Sequence, residues 1–67
     1  MLNKREIISG ITEQVKDYIA YSNNDQPERA AWALEGAIED ATDEIFDGDR
    51  ARARQYVMYR TQEEMYK

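Results

Sequence analysis

QPERAAWALEGAIEDATDEIF, residues 26–46, carries two patterns on one period. Wound as an α-helix, Ala31, Leu34, Ile38, Ala41 and Ile45 fall on one stripe. Ala30, Ala33 and Ala37 widen that stripe to an arc of about 160°. A wide arc of small residues suits a middle helix with a neighbour on each side. Opposite it, Glu35, Glu39, Asp40, Asp43, Glu44 and Asp47 occupy about half the circumference. Pro27 stands in the first turn, where the missing N–H costs nothing. Asp25 with Glu28 has the spacing of a capping box, so Asp25 is expected to cap this helix.

The flanking segments read as two more helices. Upstream, Asn3 is a good N-cap, Glu6 completes a capping box, and Leu2 with Ile7 has the spacing of a hydrophobic staple. Ile7, Ile8, Ile11, Val15, Tyr18 and Ile19 fall within about 120° of one another, with Glu13, Lys16 and Asp17 on the other side. Ser22-Asn23-Asn24-Asp25 is a loop by composition. Downstream, Gly48 suits a left-handed C-terminal cap and Asp49 the N-cap of a third helix. That third helix has no clean stripe. Ala51, Met58 and Met65 share one face, with Val57 near its edge. Tyr59 and Tyr66 lie about 100° away and Tyr56 farther round. A helix with two apolar faces has more to bury than one neighbour covers. Tyr56, Met58, Tyr59, Met65 and Tyr66 are therefore expected to mediate self-association, as a homodimer. The expected fold is one all-α domain over residues 1–67, with helices at 4–22, 26–46 and 50–66.

Composition narrows the function. A chain of 67 residues buries only ~60% of its unfolded surface, so it is marginal alone. It has no Cys and no His, which removes disulfides, thiolate metal sites and the commonest general base. No apolar run approaches the ~18 residues of a membrane span. The N-terminus, Met-Leu-Asn-Lys-Arg-Glu, lacks the long apolar core of a secretory signal. A cytoplasmic protein is expected. Its net charge of −5 opposes phosphates, so direct nucleic-acid binding is disfavoured and a basic protein surface is the expected partner.

The charge is also segregated. Residues 35–49 hold seven carboxylates and no Lys or Arg, whereas residues 50–67 hold five bases against two acids. Glu35–Glu39, Glu39–Asp43, Asp40–Glu44 and Asp43–Asp47 are like charges at i,i+4, each costing ~0.2–0.5 kcal/mol. The last turns of a helix disfavour negative charge further. A local rule broken without visible compensation marks functional surface. Trp32 falls among Glu35, Gly36, Glu39 and Asp43 rather than on the apolar stripe, and Phe46 falls near the edge of the same face. Gly36 costs about 1 kcal/mol against Ala in a helix interior, and is expected to let something approach beside Trp32. The bland alternative is internal pairing. Lys4, Arg5, Arg50, Arg52 and Arg54 are all expected at the acidic end of the molecule.

Chemistry finds little footing. Arg50, Arg52, Arg54 and Arg60 with Tyr56 and Tyr59 mix cations and aromatics, but they point in several directions beside seven acids. Glu35, Glu39 and Asp43 supply one wall of a Mg²⁺ site of the kind all-helical nucleotide phosphohydrolases use. The opposing wall would have to come from Glu6, Glu13 and Asp17, which are scattered in orientation. A calcium loop over 43–54 fails, because Ile45 and Arg54 occupy ligand positions. Ser9 and Ser22 have no base to activate them. No catalytic residue, metal ligand or cofactor is expected. In size and charge the chain resembles the small acidic helical proteins with which phages and plasmids inhibit or redirect host factors. The leading expectation is a non-enzymatic inhibitor or nucleic-acid mimic. It would bind through Trp32, Glu35, Glu39, Asp40, Asp43, Glu44, Phe46 and Asp47. The alternative is an assembly module that uses helix 3.

Overall fold

In the computed structural model, which describes residues 3–66, the first helix begins where its cap requires. The Asn3 side-chain oxygen accepts the Glu6 N–H at 2.9 Å, and α1 runs Lys4–Asn23. The Glu6 carboxylate reaches back to the Asn3 side-chain amide at 3.5 Å. The staple expected between Leu2 and Ile7 rests on Leu2, which lies outside the described residues. α2 runs Pro27–Glu44 and α3 Arg50–Met65. Asp49 caps α3 as expected, its carboxylate accepting the Arg52 N–H at 3.1 Å. Among the described residues all regular structure is helical.

Both connections correct the expected boundaries. At the end of α1 the Gln26 N–H bonds the Tyr21 carbonyl at 2.9 Å and the Asp25 N–H bonds that of Ser22 at 3.3 Å. This is the pattern of a Schellman cap, which needs a left-handed residue. Asp25 supplies it, with φ 59°. Asp25 therefore closes α1 instead of capping α2, since one residue cannot be extended and left-handed at once. Asp is one of the few side chains that tolerates this region. Gln26 takes the cap position of α2 with no side-chain bond. At the other end α2 stops at Glu44, short of Phe46. The Ala41 carbonyl accepts both the Ile45 and Phe46 N–H groups at 3.0 Å, and the Gly48 N–H reaches back to Thr42 at 2.7 Å. Asp47 (φ 50°) and Gly48 (φ 94°) are both left-handed. The widened turn carries Phe46 off the helix surface and inward. Its ring meets that of Tyr56 edge-on, with centroids 5.6 Å apart.

The core is thin and rich in alanine. Ile11 and Val15 from α1 meet Ala37, Ile38 and Ala41 from α2 and Ala53 and Val57 from α3. Ile7, Ile19, Leu34, Ile45, Phe46 and Tyr56 pack half-buried around them. Each helix touches both others. Glu64 near the end of α3 lines the same cleft as Asn23 at the end of α1, so these two helices run the same way. α2, joined to each by a short turn, runs against them. On α2 the deepest positions are Ala30, Ala37, Ile38 and Ala41, while Ala31 is exposed. Small residues there let the neighbouring helices approach closely.

The face of α3 turned to the core differs from the expected one. Ala53, Val57 and Thr61, four residues apart, are buried. Ala51, Met58 and Met65 are exposed. A core this narrow accepts small groups, and Thr61 enters because its hydroxyl donates to the Val57 carbonyl at 2.8 Å. Beside it, Arg60 ties α3 to α1. Its Nη2 donates to Thr12 Oγ1 at 2.9 Å, and its Nη1 pairs with Glu63 at 3.0 Å.

Gly10 sits in mid-α1, where an added Cβ meets nothing within 4 Å. Gly10→Ala is expected to stabilise the fold by about 1 kcal/mol by removing backbone entropy from the unfolded chain. Urea unfolding should show a higher midpoint with an unchanged slope.

Candidate functional site

The outer face of α2 points away from both neighbouring helices. Trp32 lies on it, 77% exposed. Glu35, Glu39, Asp40, Asp43 and Glu44 follow along the same helix, all exposed, and Asp47 is exposed in the turn beyond. The indole borders a shallow cleft between α1 and α2, lined by Asp17, Tyr21, Arg29 and Ala33. A large aromatic group left in water beside an aromatic and a cation is an unusual use of a Trp, a residue type that is highly buried on average.

The chain neutralises this face only in part. Arg50 pairs with Glu35 at 2.5 Å, both side chains more than half exposed. Arg52 pairs locally with Asp49 at 3.6 Å. Asp40 accepts a hydrogen bond from the Gln14 amide at 2.9 Å. Among the described residues, Glu39, Asp43, Glu44 and Asp47 make no ion pair, and neither do Lys4, Arg5 and Arg54. The internal pairing weighed above therefore reaches Glu35 and Asp49 and stops. Surface pairs of this kind contribute ~0–1 kcal/mol. With Asp47 outside the helix, three of the four like-charge spacings remain, worth about 1 kcal/mol of repulsion together.

Gln14 is the residue that the sequence does not flag. It packs over Gly36, where an added Cβ would meet its amide at 3.6 Å, and its nitrogen then reaches Asp40. What approaches Gly36 is thus α1 of the same chain rather than a partner. Only the pairing of α1 with α2 brings residues 14, 36 and 40 together. Phe46, expected at the edge of this face, is instead half-buried against Tyr56. Tyr56 itself packs on the core, unlike Met58, Tyr59, Met65 and Tyr66, which are exposed on α3. Among the described residues no three acidic side chains converge on a point that would hold a metal ion. None of their helices is long and apolar enough to cross a membrane.

Comparison of the chain with protein-family models, with curated proteins and with solved structures gave no match. The residues themselves carry the functional argument.

Proposed function

We propose that this chain is a non-enzymatic binding protein. It presents the outer face of α2 to a basic protein surface, and acts as an inhibitor or as a mimic of a nucleic-acid backbone. The observation that carries this reading is the 77% exposure of Trp32 beside carboxylates that the chain leaves unpaired. The indole offers a large rigid contact area of the kind found at the energetic centre of interfaces. Glu39, Asp43 and Glu44, two to three turns farther along the same helix, add charge that steers a cationic partner and fixes its orientation. Glu35, Glu39 and Asp43 recur at about 6 Å along one edge of the helix. Such a row of anions suits a groove evolved for phosphates.

This reading predicts a binding that salt weakens. Pull-down with the tagged protein at ~50 and ~200 mM salt should lose most of the partner at the higher value, since screening acts on exposed charges. Retention of the same partner at both values would count against it.

We also propose that the chain is a homodimer, joined through the exposed Met58, Tyr59, Met65 and Tyr66 of α3. Sedimentation over a range of concentrations tests that part separately.

A further inference from the structure

α1 and α2 run against each other, and the seam between them is closed at one point and open at the next. Gln14 lies over Gly36, and its amide reaches Asp40 at 2.9 Å. About one turn toward the start of α2 the seam opens into the shallow cleft around Ala33, lined by Asp17, Tyr21, Arg29 and Trp32. Two of its walls are aromatic. Tyr21 is half-buried and so held in place, while the indole stands free. Asp17 and Arg29 share the cleft, yet neither makes an ion pair among the described residues.

The charge around the indole decides what fits. Along α2, Trp32 has Glu28 and Arg29 one turn before it and Glu35 one turn after. Arg50 holds Glu35. Glu28, like Asp17, is exposed and makes no ion pair among the described residues. Two open carboxylates against one open guanidinium favour a cation. An anionic occupant would gain Arg29 but oppose Asp17 and Glu28. An apolar one would cover these charges without answering them, which costs free energy. Of the cationic side chains, arginine suits the walls. Its planar, weakly hydrated guanidinium stacks on an aromatic face and offers a carboxylate two parallel N–H groups. Lysine brings a strongly hydrated point charge instead.

We infer that the partner enters this cleft with an arginine side chain, its guanidinium stacked on the Trp32 indole and donating to the Asp17 carboxylate. Ala33 leaves room for the aliphatic stem. The inference rests on the basic-partner reading above and adds the group that the indole receives. It makes Arg29 an opposing charge, so Asp17 and Arg29 act on the same occupant in opposite directions.

Trp32 is the only tryptophan in the chain, so indole fluorescence reports on this cleft alone. The probes are hexa-arginine and hexalysine, equal in charge, titrated at low salt. Hexa-arginine is expected to change the emission and to bind about threefold tighter or more. Asp17→Asn should weaken hexa-arginine by about three- to fivefold and hexalysine by less, and Arg29→Gln should strengthen hexa-arginine by about twofold, the size of exposed charge contacts. Both positions are exposed, so circular dichroism should show the parent fold in each variant. Equal affinity for the two peptides, or an equal response of both to Asp17→Asn, would overturn the arginine cleft and leave the acidic face standing. So would an affinity for hexa-arginine that Arg29→Gln leaves unchanged or weakens. If neither peptide binds at low salt, the basic-partner reading falls as well.

Discussion

Trp32→Ala lowers affinity for the basic partner by about 30-fold or more and leaves the unfolding midpoint where it was. The two halves of this expectation come from one number. At 77% exposure the indole contributes little to the packed core, so its removal leaves no cavity. At an interface the same ring is buried by the partner, and truncating a central aromatic anchor costs about 2 kcal/mol or more. Affinity would be read by calorimetric titration against the captured partner, and stability by thermal unfolding. A variant that binds as well as the parent would remove the indole from the interface. A variant that melts early would show that Trp32 serves the fold instead.

Val57→Asp unfolds the chain, whereas Met58→Asp in dilute solution changes its stability by less than about 1 kcal/mol. Val57 is fully buried between the three helices, among Ala53, Val15 and the α2 alanines. Arg60, the half-buried cation beside Thr61, is already engaged by Thr12 and Glu63. Burying an introduced carboxylate unpaired costs several kcal/mol. A domain of 67 residues has about 3–10 kcal/mol in total. Met58, one residue on, faces outward. Far-ultraviolet circular dichroism distinguishes the two directly. Equal effects at both positions would mean that α3 is rotated from the orientation described.

That pair of substitutions also marks where reading the sequence failed. The stripe of α1 was legible because Ile7, Ile11, Val15 and Ile19 are large and apolar at helical spacing. The caps at Asn3 and Asp49 were legible because each places an oxygen over an orphan N–H. α3 misled for a physical reason. Its true inner line, Ala53–Val57–Thr61, has little hydrophobicity, while its outer face carries Met and Tyr. Periodicity weighs hydrophobicity, but a core built around alanines selects for small volume. Asp25 misled because Asp serves two local geometries, and only the hydrogen bonds to Tyr21 and Ser22 decide between them. Phe46 misled because nothing in the residues 41–48 announces that the helix widens and ends at Glu44. On the candidate face, the place of Trp32 among the acids, off the apolar stripe, followed from the helical wheel, but whether a neighbouring helix covers the indole did not. Nor did the bond from Gln14 to Asp40, since it joins two helices whose rotation about their axes no single segment specifies.

The acidic face is most directly tested by a variant that should improve the fold and damage the binding. Glu39→Gln, Asp43→Asn and Glu44→Gln together remove like-charge contacts and negative charge from the end of α2. Stability should rise by about 1 kcal/mol, or roughly 4–8 °C in Tm for a domain of this size. Affinity for the captured partner should fall by about tenfold or more, with a shallower dependence on salt. A higher Tm accompanied by weaker, less salt-sensitive binding is the result expected of anions held for another molecule. Unchanged affinity would mean that these carboxylates only solvate the helix.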